Sequence, residues 1–408
     1  ANEEYEASYS RAALGLTYDN TVADLYYIQA LGMSQRLFPP YKIEPLLKSA
    51  LQNKWYEYNK DAARLLLASL YTKTARAAEA LSLLNERPLL SGKDALYIRA
   101  NALYLLGNIG DARKTVRQGA LQFPEDPRFA LLFFEREREP SRENGVDILV
   151  QTAGTADNAE TSDGNTALNG GTQDGRDDFA QSTGNASDKT FTELSSLFLS
   201  RAYDLQDADP DVLLKASLFA PSEEDGRRLL KAWNAYGKTD PRYAVYALKA
   251  GLMSEEKAFD YVAPFLSGTS DYALVKSFVS LVSGEKTKER VRKLYAAFAG
   301  TLRFDTNGDG ISDMTVTYRS GRPSLIEYDA NQDGIIDWTV DCDYGVPVRV
   351  SLAREDAVLW YGTWPSLSRV IWSGAAYTLN EDRLFASPVN MIKDPVMEER
   401  ASLSFYLP

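Results

Sequence analysis

The 408-residue chain contains no histidine. Ser-His-Asp and Cys-His catalysis, His-ligated zinc and imidazole acid–base chemistry are thereby excluded within it. A lone cysteine, Cys342, rules out a disulfide framework inside the chain and a thiolate metal site. Long apolar runs are missing as well: "LLLASLY" and "ALLFFE" fall far short of the roughly 18 residues that a membrane span needs. Positive charge is in deficit, with 45 Lys and Arg against 57 Asp and Glu and a net charge of −12. That balance argues against a nucleic-acid partner, because phosphate binding rests on clustered Lys and Arg. "EKTKERVRKLY" does carry such residues, but spaced along one helix, which reads as a solvated face. Carboxylate oxygens are what these absences leave for metal chemistry, and they favour hard cations.

What is present is a folded protein: 44% of the residues are apolar and 11% aromatic. The length exceeds one compact core and predicts two or three domains. The first residue, Ala1, is what an exported chain trimmed after a small residue would show, so a periplasmic or otherwise extracytoplasmic location is expected.

Residues 141–190 break this composition. The stretch "QTAGTADNAETSDGNTALNGGTQDGRDD" has no aromatic residue, and the window sets nine acids against three bases, half the net charge of the whole chain. Such a segment buries too little apolar surface to offset its ordering entropy, and it reads as an acidic tether between folded parts. The predicted organisation is a helical domain over 1–140, the tether over 141–190, helical repeats over 191–300, a β-repeat domain over 301–385 and a tail over 386–408.

Before the tether the periodicity is helical. Ile43, Leu46, Leu47, Ala50 and Leu51 form the apolar stripe of an amphipathic helix. In "DALYIRANALYLLGNIGDARKTVRQGALQFPEDP", Ala100, Leu103, Gly107, Ala112, Val116, Gly119 and Pro124 form a spaced set of small and large apolar residues that ends on proline. "LLLASLYTKTARAAEALSLL" repeats the arrangement through Ala68, Tyr71, Ala80 and Leu84. Two antiparallel helices approach closely only where one offers a small residue, and proline stops the second. On these residues the 61–127 segment resembles two tetratricopeptide repeats. The resemblance implies a concave groove for a peptide or a partner's helix, with Tyr97, Asn101 and Tyr104 on its groove side. For the tyrosines, ordinary packing between repeats is the competing reading.

After the tether a second repeat begins at Asp209, Asp240 and Asp271, 31 positions apart each time. Five columns are apolar or Gly in every copy, among them Leu213, Ala244 and Val275, and Ala216, Ala247 and Phe278. Ser222, Ser254 and Ser283 each precede acids and predict the start of a second helix. A helix pair of this size cannot bury its own face, so neighbours must stack into an α-solenoid.

From Gly300 the pattern alternates as strands do, in "MTVTY", "PSLIEY", "DWTVD" and "VPVRVSL". The expected fold class is therefore multidomain, an α-solenoid followed by a small antiparallel all-β repeat domain. Inside the strands an acidic phrase is written twice in register, 24 positions apart: "DTNGDGISD" from Asp305 and "DANQDGIID" from Asp329. A third copy keeps the strands, but Ala353 stands where the leading Asp would be, so its acidic loop is lost.

Oxygen ligands at alternate positions let a short chain wrap one hard cation. Asp305, Asn307, Asp309, Asp313 and the Ile311 carbonyl are the candidates in the first loop. Asp329, Asn331, Asp333, Asp337 and the Ile335 carbonyl are those in the second. Two Ca2+ sites are expected, and metal-free Asn-Gly and Asp-Gly hairpin turns are the alternative. Over nine positions the loops resemble those of EF-hands and dockerins. Val316 and Val340, however, occupy the twelfth position, where those families place an acid, and strands follow instead of helices. The nearer resemblance is to the short calcium loops between strands of integrin-type and other extracellular β-repeat proteins. It implies weak binding, on the order of 10⁻⁴–10⁻³ M.

Each loop supplies its own oxygens and no base or nucleophile stands out beside it, so a structural ion is expected and no catalytic residue is assigned. The function expected is a non-catalytic exported scaffold that binds a protein partner. The alternative is a glycan-binding or glycan-acting protein that stacks sugars on Trp360, Trp364 and Trp372. Rings aligned on one solvent face would favour it.

Overall fold

The structure is a computed structural model and describes residues 2–137, 177–204 and 208–378. Residues 141–176 of the acidic tether and the whole of the 386–408 tail lie outside the described residues. A helical N-terminal region leads into a C-terminal nine-stranded sheet. The described helices are α1 (Asn2–Tyr18), α2 (Ala23–Gln35), α3 (Pro40–Gln52), α4 (Lys60–Lys73), α5 (Ala77–Asn85), α6 (Lys93–Leu105), α7 (Ile109–Gln122), α8 (Arg128–Arg136), α9 (Asp177–Tyr203), α10 (Pro210–Ala216), α11 (Glu223–Ala235), α12 (Pro241–Lys249), α13 (Glu255–Leu266), α14 (Tyr272–Leu281) and α15 (Glu285–Ala296). They divide between two compact units, Ala1–Gly107 with Gly237–Pro408, and Asn108–Tyr236.

In the first unit, Ile43, Leu47 and Ala50 of α3 bury the stripe read from the sequence against Leu67, Ala68 and Tyr71 of α4 and Ala80 and Leu84 of α5. Two polar residues hold the loops of this layer. The Asp24 carboxylate accepts the N–H groups of Tyr56, Glu57 and Tyr58, fixing the chain between α3 and α4 onto the start of α2. Arg64 is buried and donates to the carbonyls of Leu83, Glu86 and Pro88, the oxygens left over where α5 ends.

In the same unit, Ser254 caps α13 as expected, while Ser283 instead binds Glu255 and leaves Gly284 before α15. Between α13 and α14 the chain extends as β1 (Thr269–Asp271), which pairs in parallel with β2 (Gly300–Phe304). The sheet is therefore mixed, where the alternation had predicted it wholly antiparallel. Three residues inside a helical repeat carry too little period to announce a strand.

In the second unit, Ser222 caps α11, and the copy led by Asp209 forms α10 behind its own Asp cap. Phe133 and Phe134 of α8 meet Phe198 of α9, with ring centroids 5.4 and 6.0 Å apart. Gly119 on α7 lets the Phe129 ring lie against the helix, since a Cβ there would collide with it. Helix α9 begins at Asp177, so residues 177–190 of the expected tether are helical. Once Leu194, Phe198 and Ala202 are anchored in the core, extending the helix toward the N-terminus is cheaper than starting one.

The remaining strands are β3 (Met314–Arg319), β4 (Arg322–Tyr328), β5 (Trp338–Asp343), β6 (Val346–Leu352), β7 (Ala357–Thr363), β8 (Ser366–Trp372) and β9 (Ala375–Thr378). They run antiparallel in chain order. Each 24-residue unit contributes a strand pair, so one row crosses the sheet through Leu302, Val316, Ile326, Val340, Val350 and Leu359. Turns at Ser320–Gly321, Tyr344–Gly345 and Ser373–Gly374 have positive φ at both residues, the geometry that matches strand twist in a two-residue hairpin. The two acidic loops and, between β6 and β7, the shortened third lie at the end opposite the Ser320 and Tyr344 turns, and the Ser373 turn shares their end, its N–H donating to the Asp356 carbonyl at 2.9 Å.

Candidate functional site

Both acidic loops are organised from within by their leading aspartate. Asp305 accepts the N–H groups of Gly308 and Gly310 at 2.7 Å each and of Asp309 at 3.1 Å. Asp329 accepts those of Asp333 at 3.2 Å and Gly334 at 2.8 Å. At the middle position, Asp309 and Asp333 accept from Ile311 and Ile335 and receive the amides of Asn307 and Asn331 at 3.1 Å. The closing acids return to the loop entry: Asp313 accepts the N–H and hydroxyl of Thr306, and Asp337 accepts the N–H of Ala330. Two sequences, one hydrogen-bond plan.

The loops are also joined to each other and to a helix. The Asp329 N–H donates to the Asp313 carbonyl at 2.9 Å, and the Ala353 N–H donates to the Asp337 carbonyl at 2.8 Å. Gln332 of the second loop reaches into the first, its Nε2 lying 3.3 Å from the Ile311 carbonyl oxygen and 3.5 Å from Asp309 Oδ2. In the shortened third turn Arg354 pairs with Asp337 at 2.6 Å. The second loop meets the start of α3, where Pro39, Pro40 and Tyr41 stand around Gly334.

Electrostatically the loops are loaded. Burial pushes the Asp305 carboxyl above its usual value, and the charges of Asp309 and Asp313 add to this against the opposing Gly310 and Gly308 N–H groups. Asp329 is raised in the same way, by burial and then by Asp333 and Asp337, against the N–H groups of Gly334 and Asp333. Among the described residues, no three of His, Cys, Asp or Glu stand together in metal-holding geometry. Within each loop the predicted acids instead bond back to the loop's own backbone, which takes up part of their free electron pairs. Ile335 is exposed, and the Ile311 carbonyl faces Gln332. The donor set, hard and anionic with amide oxygens beside it, has the chemistry a calcium ion takes.

The other candidates spread out. Tyr104 is buried and Tyr97 packs against the helical core, so both rings serve packing between helices, while Asn101 is half-buried. Trp360 pairs in register with Arg369 and Trp372 with Ala357, which puts the two indoles on opposite faces of the sheet. Arg349 covers Trp360, its guanidinium 5.3 Å from the ring centre, and Trp364 packs on Tyr361. The three rings offer no common stacking platform. Asp24, Arg64 and Gln332 were not singled out by their sequence; each works through partners far along the chain. For Gln332 a signal did exist, since it occupies the place that Gly308 holds in the sister loop.

No known protein family matches the chain. A curated relative, an uncharacterized protein of Treponema pallidum (strain Nichols), is 24% identical over 385 residues, which cover 78% of this chain and 43% of the relative. The chain therefore spans less than half of that relative's length. Among the described residues no helix is long and apolar enough to cross a membrane.

Proposed function

We propose that this chain is a non-catalytic, extracytoplasmic scaffold that holds a protein partner, a peptide or a helix, on its tetratricopeptide-like helical repeats, while two calcium ions brace its sheet. The observation that carries the reading is the pair of sister loops with one hydrogen-bond plan, each crowding three carboxylates into nine residues. Asp305, Asn307, Asp309, Asp313 and the Ile311 carbonyl would hold one ion, and Asp329, Asn331, Asp333, Asp337 and the Ile335 carbonyl the other. A bound calcium supplies positive charge that offsets the repulsion among these carboxylates. The remaining work belongs to the chain: Asp305 and Asp329 order each turn, and Gly310 and Gly334 supply its positive φ. A weak site suits a calcium-rich compartment outside the cytoplasm.

Calorimetry on the full chain tests the metal half. Two equivalents of Ca2+ should be taken up, and calcium at about tenfold over Kd should add about 1.4 kcal/mol per site to stability. No heat at millimolar calcium, with melting indifferent to EDTA, overturns it. For the scaffold half, the chain immobilised in calcium should retain one protein from its native envelope extract in stoichiometric amount. The purified partner should then rebind it. Failure of the purified pair to rebind removes the scaffold reading.

A further inference from the structure

Position four of each loop requires a left-handed backbone: φ is +75° at Gly308 and +53° at Gln332. Glycine meets that requirement freely, whereas glutamine adopts it at a cost of about 1–2 kcal/mol. The second loop therefore accepts strain to carry a side chain there. That side chain is buried, only 7% exposed, and it is aimed at the first loop. Its Nε2 faces Asp309 Oδ2 and the Ile311 carbonyl, two oxygens already named for the first ion. Its Oε1, equally buried, has no hydrogen-bond partner. A buried amide oxygen left unpaired is costly, and it points to a ligand that the amide is built to receive.

Resting on the calcium reading above, we infer that Gln332 is a ligand donated across the loops. With a divalent cation in the first loop, a half-turn of its terminal torsion exchanges Nε2 for Oε1. The oxygen then joins those of Asp309 and Ile311 on the ion. The first site is built from both loops, while the second lacks the equivalent, because the third turn is shortened and presents Arg354 to Asp337. The two sites are therefore unequal, and the first needs the second loop in place.

The test is calcium calorimetry on the full chain and two variants, with circular dichroism recorded for each. Q332G installs the sister loop's own residue and relieves the backbone, so it should fold. It is expected to weaken one of the two sites at least tenfold, the loss typical when a group supporting a metal is removed, and to leave the other unchanged. Q332E keeps an oxygen and removes the donor. It should bind calcium at that site at least as tightly as the wild type, yet melt lower than the wild type in EDTA. Two unchanged sites in Q332G overturn the ligand role alone. Equal weakening by Q332E and Q332G does so too, because the amide would then act only as a donor strap. No calcium uptake by the folded wild type removes both this inference and the reading it rests on.

Discussion

The backbone N–H of Tyr41 donates to the carbonyl oxygen of Asp333 at 3.0 Å. That bond joins the first turn of α3 to the tip of the second acidic loop, nearly three hundred residues apart in the chain. It occurs where Pro39 and Pro40 lack N–H groups of their own, so Tyr41 is the first residue of the helix able to donate beyond it. A loop that a sequence reader assigns to the sheet alone is therefore also a fitting for the helical layer.

Gly334 makes this fitting testable. Its φ is +89°, and an added Cβ would stand 3.0 Å from Pro39 Cβ and 3.2 Å from Pro40 Cδ. G334A should destabilise the chain by about 2–4 kcal/mol, combining backbone strain with a contact that two rigid rings cannot yield to. Gly345, at φ +83°, meets Pro323 only at 3.5 Å, so G345A carries the strain with ordinary contact. Urea melts should rank G334A below G345A. Equal losses would mean that the α3 contact contributes nothing.

Asp24 is the second point of leverage. Burial alone would raise its carboxyl, but the N–H groups of Tyr58, Tyr56 and Glu57 outweigh it and hold the group below its usual value. D24A leaves three donors without their acceptor and should cost roughly 2–4 kcal/mol. D24N, which keeps one carbonyl oxygen, should cost less. The same ranking is expected in the protection of the Tyr56 and Tyr58 amides against hydrogen exchange. Unchanged protection in D24A would show that the 53–59 loop is held by other means.

How far the sequence was legible follows from the range of each signal. The strand framework and both acidic loops were legible because their pattern is local and written twice: Val316 recurs as Val340, and Asp305 as Asp329. Ser222 and Ser254 were legible as caps for the same reason, since a cap acts within one turn. β1 was not, because its pairing with β2 is set by residues about thirty positions on. The roles of Asp24, Arg64 and Gln332 depend on loops that only the fold brings within 3.5 Å, and the 24-residue repeat marks Gln332 alone, as the departure from Gly308. The helix over 177–190 ran against composition, because an anchored helix extends through residues that would not start one.

Acid should weaken the α3–α5 layer through Glu44. Burial pushes its carboxyl up, but hydrogen bonds from Arg76 and Lys48 prevail and bring it down to about 2 from the usual 4.5. Arg76 Nη1 lies 2.6 Å from Oε2, and Lys48 Nζ 2.7 Å from Oε1. With the folded value depressed, the contribution is complete above pH 4.5 and drains away as pH falls toward 2. E44Q should lose roughly 1.5–3 kcal/mol at neutral pH, the range for hydrogen bonds to a charged group, and should show a shallower decline through that window. A variant that declines as steeply as the wild type would assign the acid sensitivity to other carboxylates.

The charge within the loops gives a prediction whose sign reverses with conditions. Asp333 raises the carboxyl of Asp329, so in metal-free protein its negative charge opposes folding. D333N keeps an oxygen to accept the Ile335 N–H, which Asp333 now binds at 2.8 Å, while removing the charge and the acceptor that takes the Asn331 amide at 3.1 Å. In EDTA the variant should melt at or above the wild type, by up to about 1 kcal/mol, the scale of partly screened charge pairs. In excess calcium the order should invert, because the variant gives up a ligand that the wild type uses and the gain from binding shrinks with affinity. Melts of both proteins in the two buffers, at one ionic strength, separate the terms. A rise in both would mean that Asp333 acts through its charge alone and gives calcium nothing. The loops would then be acidic turns and not calcium sites.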